Sequence, residues 1–143
     1  LPFTVDTWHA VPGKARLLSH AHKDHCEGLE ELSSGRIVCT ALTQELALNK
    51  FPGLANSNVE WCLLECGESM ELGTGPLAWN VCALDASHCP GACMFLAWST
   101  WFGAVLHTGD ARLEQAHLEV LQAQLDDLGI TELDLLYVDA TFG

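Results

Sequence analysis

The alternation of apolar and polar positions predicts short strands early in the chain, then strands and helices together. Leu1 to Trp8 reads as extended, with Phe3, Val5 and Thr7 on one side and Thr4, Asp6 and Trp8 on the other. Pro12-Gly13 marks a turn. Ala15 to Ser19 predicts a strand, and Cys26 to Leu32 a helix closed by Ser33-Ser34-Gly35. Arg36 to Thr40 predicts a β-branched strand. Thr43 to Phe51 predicts a helix with Thr43 near its N-cap, Leu46 and Ala47 on its buried face and Pro52-Gly53 as its stop. Val59 to Leu64 is the next strand. Leu77, Trp79, Val81 and Ala83 then alternate with Ala78, Asn80, Cys82 and Leu84, a half-buried strand pattern. Ala92 to Trp98 and Ala104 to His107 are nearly continuous apolar runs joined by Ser99 to Gly103, which predicts a hairpin in a sheet covered on both faces. Leu113 to Leu128 carries a stripe of Leu118, Leu121, Leu125 and Leu128, with Gly129 as its stop. Leu133 to Val138 predicts a last buried strand. The whole reads as a layered α/β protein.

Composition adds limits. With 143 residues, 49% of them hydrophobic, the chain can bury a sizeable core as one domain or a large piece of one. It opens at Leu1 rather than at a methionine, so a piece of a longer chain or a processed product is expected. No apolar run reaches the ~18 residues of a membrane span, and no basic-then-apolar leader is visible. The seven cysteines are scattered and odd in number, which predicts reduced thiols rather than a disulfide framework. Cys62-x3-Cys66 and His88-Cys89-x3-Cys93 have the loose look of a structural zinc site, but several of these cysteines lie in apolar runs, where the thiol packs as a small core group. The net charge of −13 opposes binding to nucleic acid unless metals or a further basic segment offset it.

The densest chemistry is Ser19-His20-Ala21-His22-Lys23-Asp24-His25. Three imidazoles and a carboxylate fall within six positions, all of them metal-ligand types. On a strand end, side chains two apart share a face, so His20 and His22 reach one spot. Asp24 and His25 lie beyond it and are placed for a second ion.

Three further candidates follow predicted strands. His88 sits in Asp85-Ala86-Ser87-His88-Cys89-Pro90-Gly91, a loop tightened by Pro90 and Gly91. In His107-Thr108-Gly109-Asp110, Gly109 permits a sharp turn that aims Asp110 inward. Asp110 reads either as a carboxylate bridging two metals or as a cap for the helix after it. His107 lies within the apolar run and reads as structural. Asp139 ends Tyr137-Val138-Asp139-Ala140-Thr141.

These segments resemble a known family. His20-Ala21-His22-Lys23-Asp24-His25 is similar to the HxHxDH signature of the metallo-β-lactamase fold. His88-Cys89-Pro90-Gly91 with Met94-Phe95-Leu96 resembles the "HCPG…MFLF" segment of the DNA cross-link repair nucleases, the β-CASP group of that fold. Leu106 to Arg112 resembles their "YTGDFR", with Ala111 in place of the usual Phe, and Leu136 to Phe142 resembles their "LYLDTT". The resemblance implies a metallo-β-lactamase-like αββα sandwich, with residues 1–143 forming its N-terminal part and the β-CASP insert and a later metal-binding histidine absent. It implies zinc, one or two ions. His20, His22 and His88 hold the first, Asp24 and His25 the second, and Asp110 bridges. Asp24, Asp110 and Asp139 are the implied catalytic carboxylates. The implied function is a nuclear DNA exonuclease acting from a 5′ end in interstrand cross-link repair and telomere maintenance, weakly active as this piece alone. An RNA-processing endonuclease of the same group, a small-molecule hydrolase of the same fold and an inactive metal-binding fragment are the alternatives.

Overall fold

The computed structural model describes residues 1–9 and 12–140. The chain divides into two compact units, Leu1–Glu65 with Cys89–Ala92, and Cys66–His88 with the chain from Cys93 on.

The first unit is built on four parallel strands in chain order: β1 (Phe3–Val5), β2 (Ala15–Leu17), β3 (Ser34–Cys39) and β4 (Asn58–Leu63). Val5 pairs with Leu17, Leu17 with Val38 and Ile37 with Trp61. All strand C-termini therefore meet at one edge. Ile37, Val38 and Cys39 are fully buried, as a parallel strand with both faces covered requires. Helix α1 (Ala41–Lys50) makes the crossover from β3 to β4. Its N-cap is Thr40, whose hydroxyl accepts from the Thr43 N–H. Thr43 and Ala47, one turn apart, form the buried face. Leu46, expected on that face, is exposed, because its position lies about 100° around the helix from Ala47. The helix expected over Cys26 to Leu32 is instead two 3-10 turns, Asp24–Cys26 and Leu29–Glu31. Gly28, at φ +91°, separates them and turns both Cys26 and Leu29 into the core. Ser34 and Gly35 open β3 rather than closing a helix.

The second unit holds a five-stranded sheet in the order β5 (Ser69–Leu72), β6 (Trp79–Asp85), β7 (Cys93–Ser99), β8 (Gly103–His107) and β9 (Leu135–Tyr137). Neighbours are antiparallel except β8 and β9. The predicted hairpin is β7–β8, with Trp98 opposite Ala104. Strand β5 went unpredicted, since Met70 and Leu72 are too few apolar positions to set a period. Helix α2 (Gln115–Asp127) buries Leu121 and Leu125, while Leu118 is exposed. Gly129, at φ +71°, donates to Asp126 O and Ile130 donates to Leu125 O, the paired bonds of a Schellman stop. Strand β9 is exposed throughout, against the expectation of a buried strand, because among the described residues it is the sheet's edge and pairs with β8 alone. Among the described residues no helix is long and apolar enough to cross a membrane. The end of the last motif, Thr141 and Phe142, lies outside the described residues.

Candidate metal centre

In the first unit the register of β1 against β2 brings Asp6 beside the histidine loop. The Asp6 N–H donates to Leu17 O, and the residue takes φ +46°. Its carboxylate accepts from Ser19 N–H at 2.8 Å, from the Ser19 hydroxyl at 2.6 Å and from His25 Nδ1 at 2.7 Å. These contacts determine tautomers. A carboxylate only accepts, so His25 carries a hydrogen on Nδ1, and in the neutral ring the lone pair is on Nε2. The Ser19 hydroxyl has one hydrogen, already given to Asp6. At 2.9 Å from His20 Nδ1 it therefore accepts, which leaves the lone pair of His20 on Nε2.

His20 Nε2 lies 3.0 Å from His22 Nδ1, and the rings of His20 and His25 are 4.1 Å apart. His20 is buried, His25 partly buried and His22 exposed. Asp6, His20 and His25 each offer a ligand atom within 4.8 Å of the others. Two nitrogens on a tetrahedral zinc sit roughly 3.3 Å apart at bond lengths of about 2.0 Å, close to the His20–His22 separation. Histidines whose second nitrogen is held by a carboxylate or hydroxyl are the usual arrangement around zinc. The donor set fits the ion. Asp6 was not singled out from the sequence. The signal was a carboxylate at the end of the strand paired with the one that runs into the histidines.

Asp24 lies in the first 3-10 turn with a largely exposed side chain, its Oδ2 3.6 Å from His25 Nε2. Its own backbone N–H holds its pKa below the ordinary carboxylate value. Slight burial opposes this, and His25, His20 and His22 add to the lowering. Trp8 Nε1 donates to His25 O at 2.8 Å and pins this turn.

In the second unit, β6, β8 and β9 run in the same direction, so His88, Asp110 and Asp139 all follow strands at one edge of the sheet. His88 Nε2 lies 3.6 Å from Asp110 Oδ2. Gly109, at φ +51°, makes the turn that carries Asp110. The Asp139 N–H donates to Thr108 Oγ1 at 3.4 Å, while the residue is exposed. His107 is structural: Gly109 N–H donates to its Nδ1, and its ring stacks on Tyr137 at 5.4 Å. A cluster of Asp85, Ser87 and His117, unremarked in the sequence, adjoins His88. Among the described residues no cysteine joins a group able to hold a metal, and none of the seven is in a disulfide.

No protein-family profile matches the chain. Similar proteins are nevertheless plain. The chain is 37% identical over 144 residues to the 5′ exonuclease Apollo of Gallus gallus, covering 98% of this chain and 29% of that protein. It is 33% identical over 146 residues to protein artemis of Gallus gallus, covering 90% of this chain and 20% of that one. It is 32% identical over 143 residues to the DNA cross-link repair 1A protein of Homo sapiens, covering 98% and 12%. The chain thus spans less than a third of these relatives. Among solved structures, a metallo-β-lactamase fold protein of Bacillus subtilis matches with a TM-score of 0.53 and 18% identity, over 71% of this chain and 42% of that one. An N-acyl homoserine lactone hydrolase matches with a TM-score of 0.52 and 16% identity, over 86% and 54%. The mixed two-sheet architecture is therefore that of the metallo-β-lactamase fold, and the chain belongs to the β-CASP family of Apollo, artemis and DNA cross-link repair 1A.

Proposed function

We propose that this chain is the zinc-binding part of a DNA nuclease, a phosphodiesterase that digests from a 5′ end in cross-link repair and telomere maintenance in the nucleus. The observation that carries the reading is the cluster of His20, His22 and His25 around Asp6 and Ser19, in a chain 37% identical to a protein named a 5′ exonuclease. In this reading His20, His22 and His88 would hold one zinc and Asp24 and His25 a second, with Asp110 as a further ligand. Zinc, when bound, lowers the pKa of water to roughly 7 and offsets charge developing on a phosphate. The chain's own groups do the rest. Ser19 and Asp6 hold the imidazoles of His20 and His25 by Nδ1, which leaves Nε2 of each for the metal. Asp24 or Asp139 orients the attacking water; the contacts that lower the pKa of Asp24 keep its carboxylate ionised, and so able to accept a hydrogen bond from that water.

The experiment is digestion of a 5′-phosphorylated DNA strand with and without zinc, by the chain and by its Asp24→Ala variant. Metal-dependent digestion that the variant loses is the expected result; undiminished digestion by the variant removes Asp24 from the mechanism. The −13 charge favours a second reading, hydrolysis of a small molecule, because the phosphate backbone is repelled. A thioester turned over in preference to the oligonucleotide supports that reading. A ribonucleotide strand preferred over its deoxy counterpart points to RNA processing. Zinc bound with no turnover of any of the three substrates marks a binding fragment.

A further inference from the structure

One cluster of the second unit has no part in the mechanism above. Asp85 ends β6, Ser87 directly precedes His88, and His117 is the third residue of α2. The Ser87 hydroxyl lies 2.9 Å from Asp85 Oδ2 and is hydrogen-bonded to His117 Nε2. His117 Nε2 also lies 3.3 Å from Asp85 Oδ2. Two backbone contacts reinforce them. Ser87 N–H donates to Asp85 Oδ1 at 3.2 Å, and Arg112 N–H, in the approach to α2, donates to Ala86 O at 2.9 Å.

These residue types invite comparison with a nucleophilic triad, and the geometry rules it out. A triad needs its carboxylate on Nδ1 and its serine on Nε2. Here both partners meet Nε2, and Nδ1 is buried without a hydrogen-bond partner. The cluster therefore holds rather than reacts. What it holds is unusual: Ser87 sits at φ +47°, a left-handed conformation that a residue with a Cβ keeps only when its surroundings enforce it. Of the groups bonding the Ser87 side chain, Asp85 is local, whereas His117 comes from 30 residues away.

We propose that His117 is a positioning residue, clasping Ser87 and Asp85 from α2 and so setting the direction of the adjacent His88 side chain. The consequence for metal binding rests on the reading of His88 as a ligand given above; the clasp itself does not.

The test uses the 143-residue chain, with zinc or cobalt(II) as probe. Affinity is measured by chelator competition, ligand geometry by the visible spectrum of the cobalt form, and loop order by amide hydrogen exchange of the metal-free protein. His117→Ala should weaken zinc binding about 10-fold, shift the cobalt spectrum and speed exchange at Ser87 and His88. His117→Gln, whose amide reaches the position of Nε2, should restore most of all three. Ser87→Ala gives the same comparison if His117→Ala fails to fold. Wild-type affinity, spectrum and exchange in these variants overturn the clasp. A wild-type chain that binds neither metal overturns the ligand reading instead, and loop exchange then still decides the clasp.

Discussion

Asp6 holds a backbone conformation that costs a residue with a Cβ roughly 1–2 kcal/mol, and in it one carboxylate meets three donors from Ser19 and His25. Local strain is thus offset by charge-assisted hydrogen bonds that aim two imidazoles. If those imidazoles are ligands, a His20→Ala, His88→Ala double variant should retain well under half the zinc of the wild-type chain, by metal analysis of purified protein. Unchanged zinc content removes both residues from the site. The thiols offer a second check at this scale. Burial pushes the pKa of Cys26 and of Cys82 up to about 11, whereas Cys66 is exposed. The thiolate is the reactive form, and at pH 8 such a buried thiol is ionised only about one part in a thousand. Cys66 should therefore be alkylated first at pH 8, and peptide mapping of the labelled chain should find Cys26 and Cys82 largely unmodified. Early labelling of Cys26 contradicts the packed core around it.

Among the elements, the start of α1 has the clearest energetic signature. Thr40 Oγ1 lies 3.2 Å from Thr43 N, 3.0 Å from Thr43 Oγ1 and 2.8 Å from Gly91 O, so one buried hydroxyl both caps the helix and anchors the segment after His88. Thr40→Val keeps the shape and removes these bonds. It should lower unfolding stability by about 1–2 kcal/mol in a urea titration, while Thr40→Ser stays within a few tenths. Equal stability of the valine variant would show that the cap does not matter. Elements with long apolar runs, β7 and β8, follow directly from the pattern of the chain, as does α2 with its glycine stop, although only Leu121 and Leu125 of its leucine stripe are buried. Elements of three or four residues do not. β5 has too few apolar positions to show a period, and the turns from Asp24 to Glu31 are set by Gly28 and by burial of Cys26 and Leu29.

Over the whole molecule, charge and the edge of the second sheet point the same way. The chain carries −13, and Leu135, Leu136, Tyr137 and Val138 leave apolar surface in water. An acidic body captures a phosphate backbone weakly, and an exposed apolar edge strand favours association with other chains. The relatives extend well beyond the length matched here, with 29% of the chicken Apollo covered. The chain alone should therefore digest DNA more slowly than a version extended to the length of those relatives, compared at equal zinc and salt. Equal rates per molecule would show that residues 1–143 are sufficient and that neither the charge nor the exposed edge limits turnover.

The amino-acid sequence alone determined the candidate chemistry. Histidines and carboxylates at spacings of two and three residues, each cluster following an apolar run, are local features that need no fold to be read. It also determined the strong periodic elements, because period and length suffice for them. Only the tertiary structure decided what depends on partners distant in the chain. It brought Asp6 against Ser19 and His25 through the pairing of β1 with β2, and so assigned the lone pairs of His20 and His25. It seated His117 on the loop before His88, across 30 residues. It turned Leu46 and β9 outward, since exposure follows from which neighbours cover a residue rather than from its own hydrophobicity.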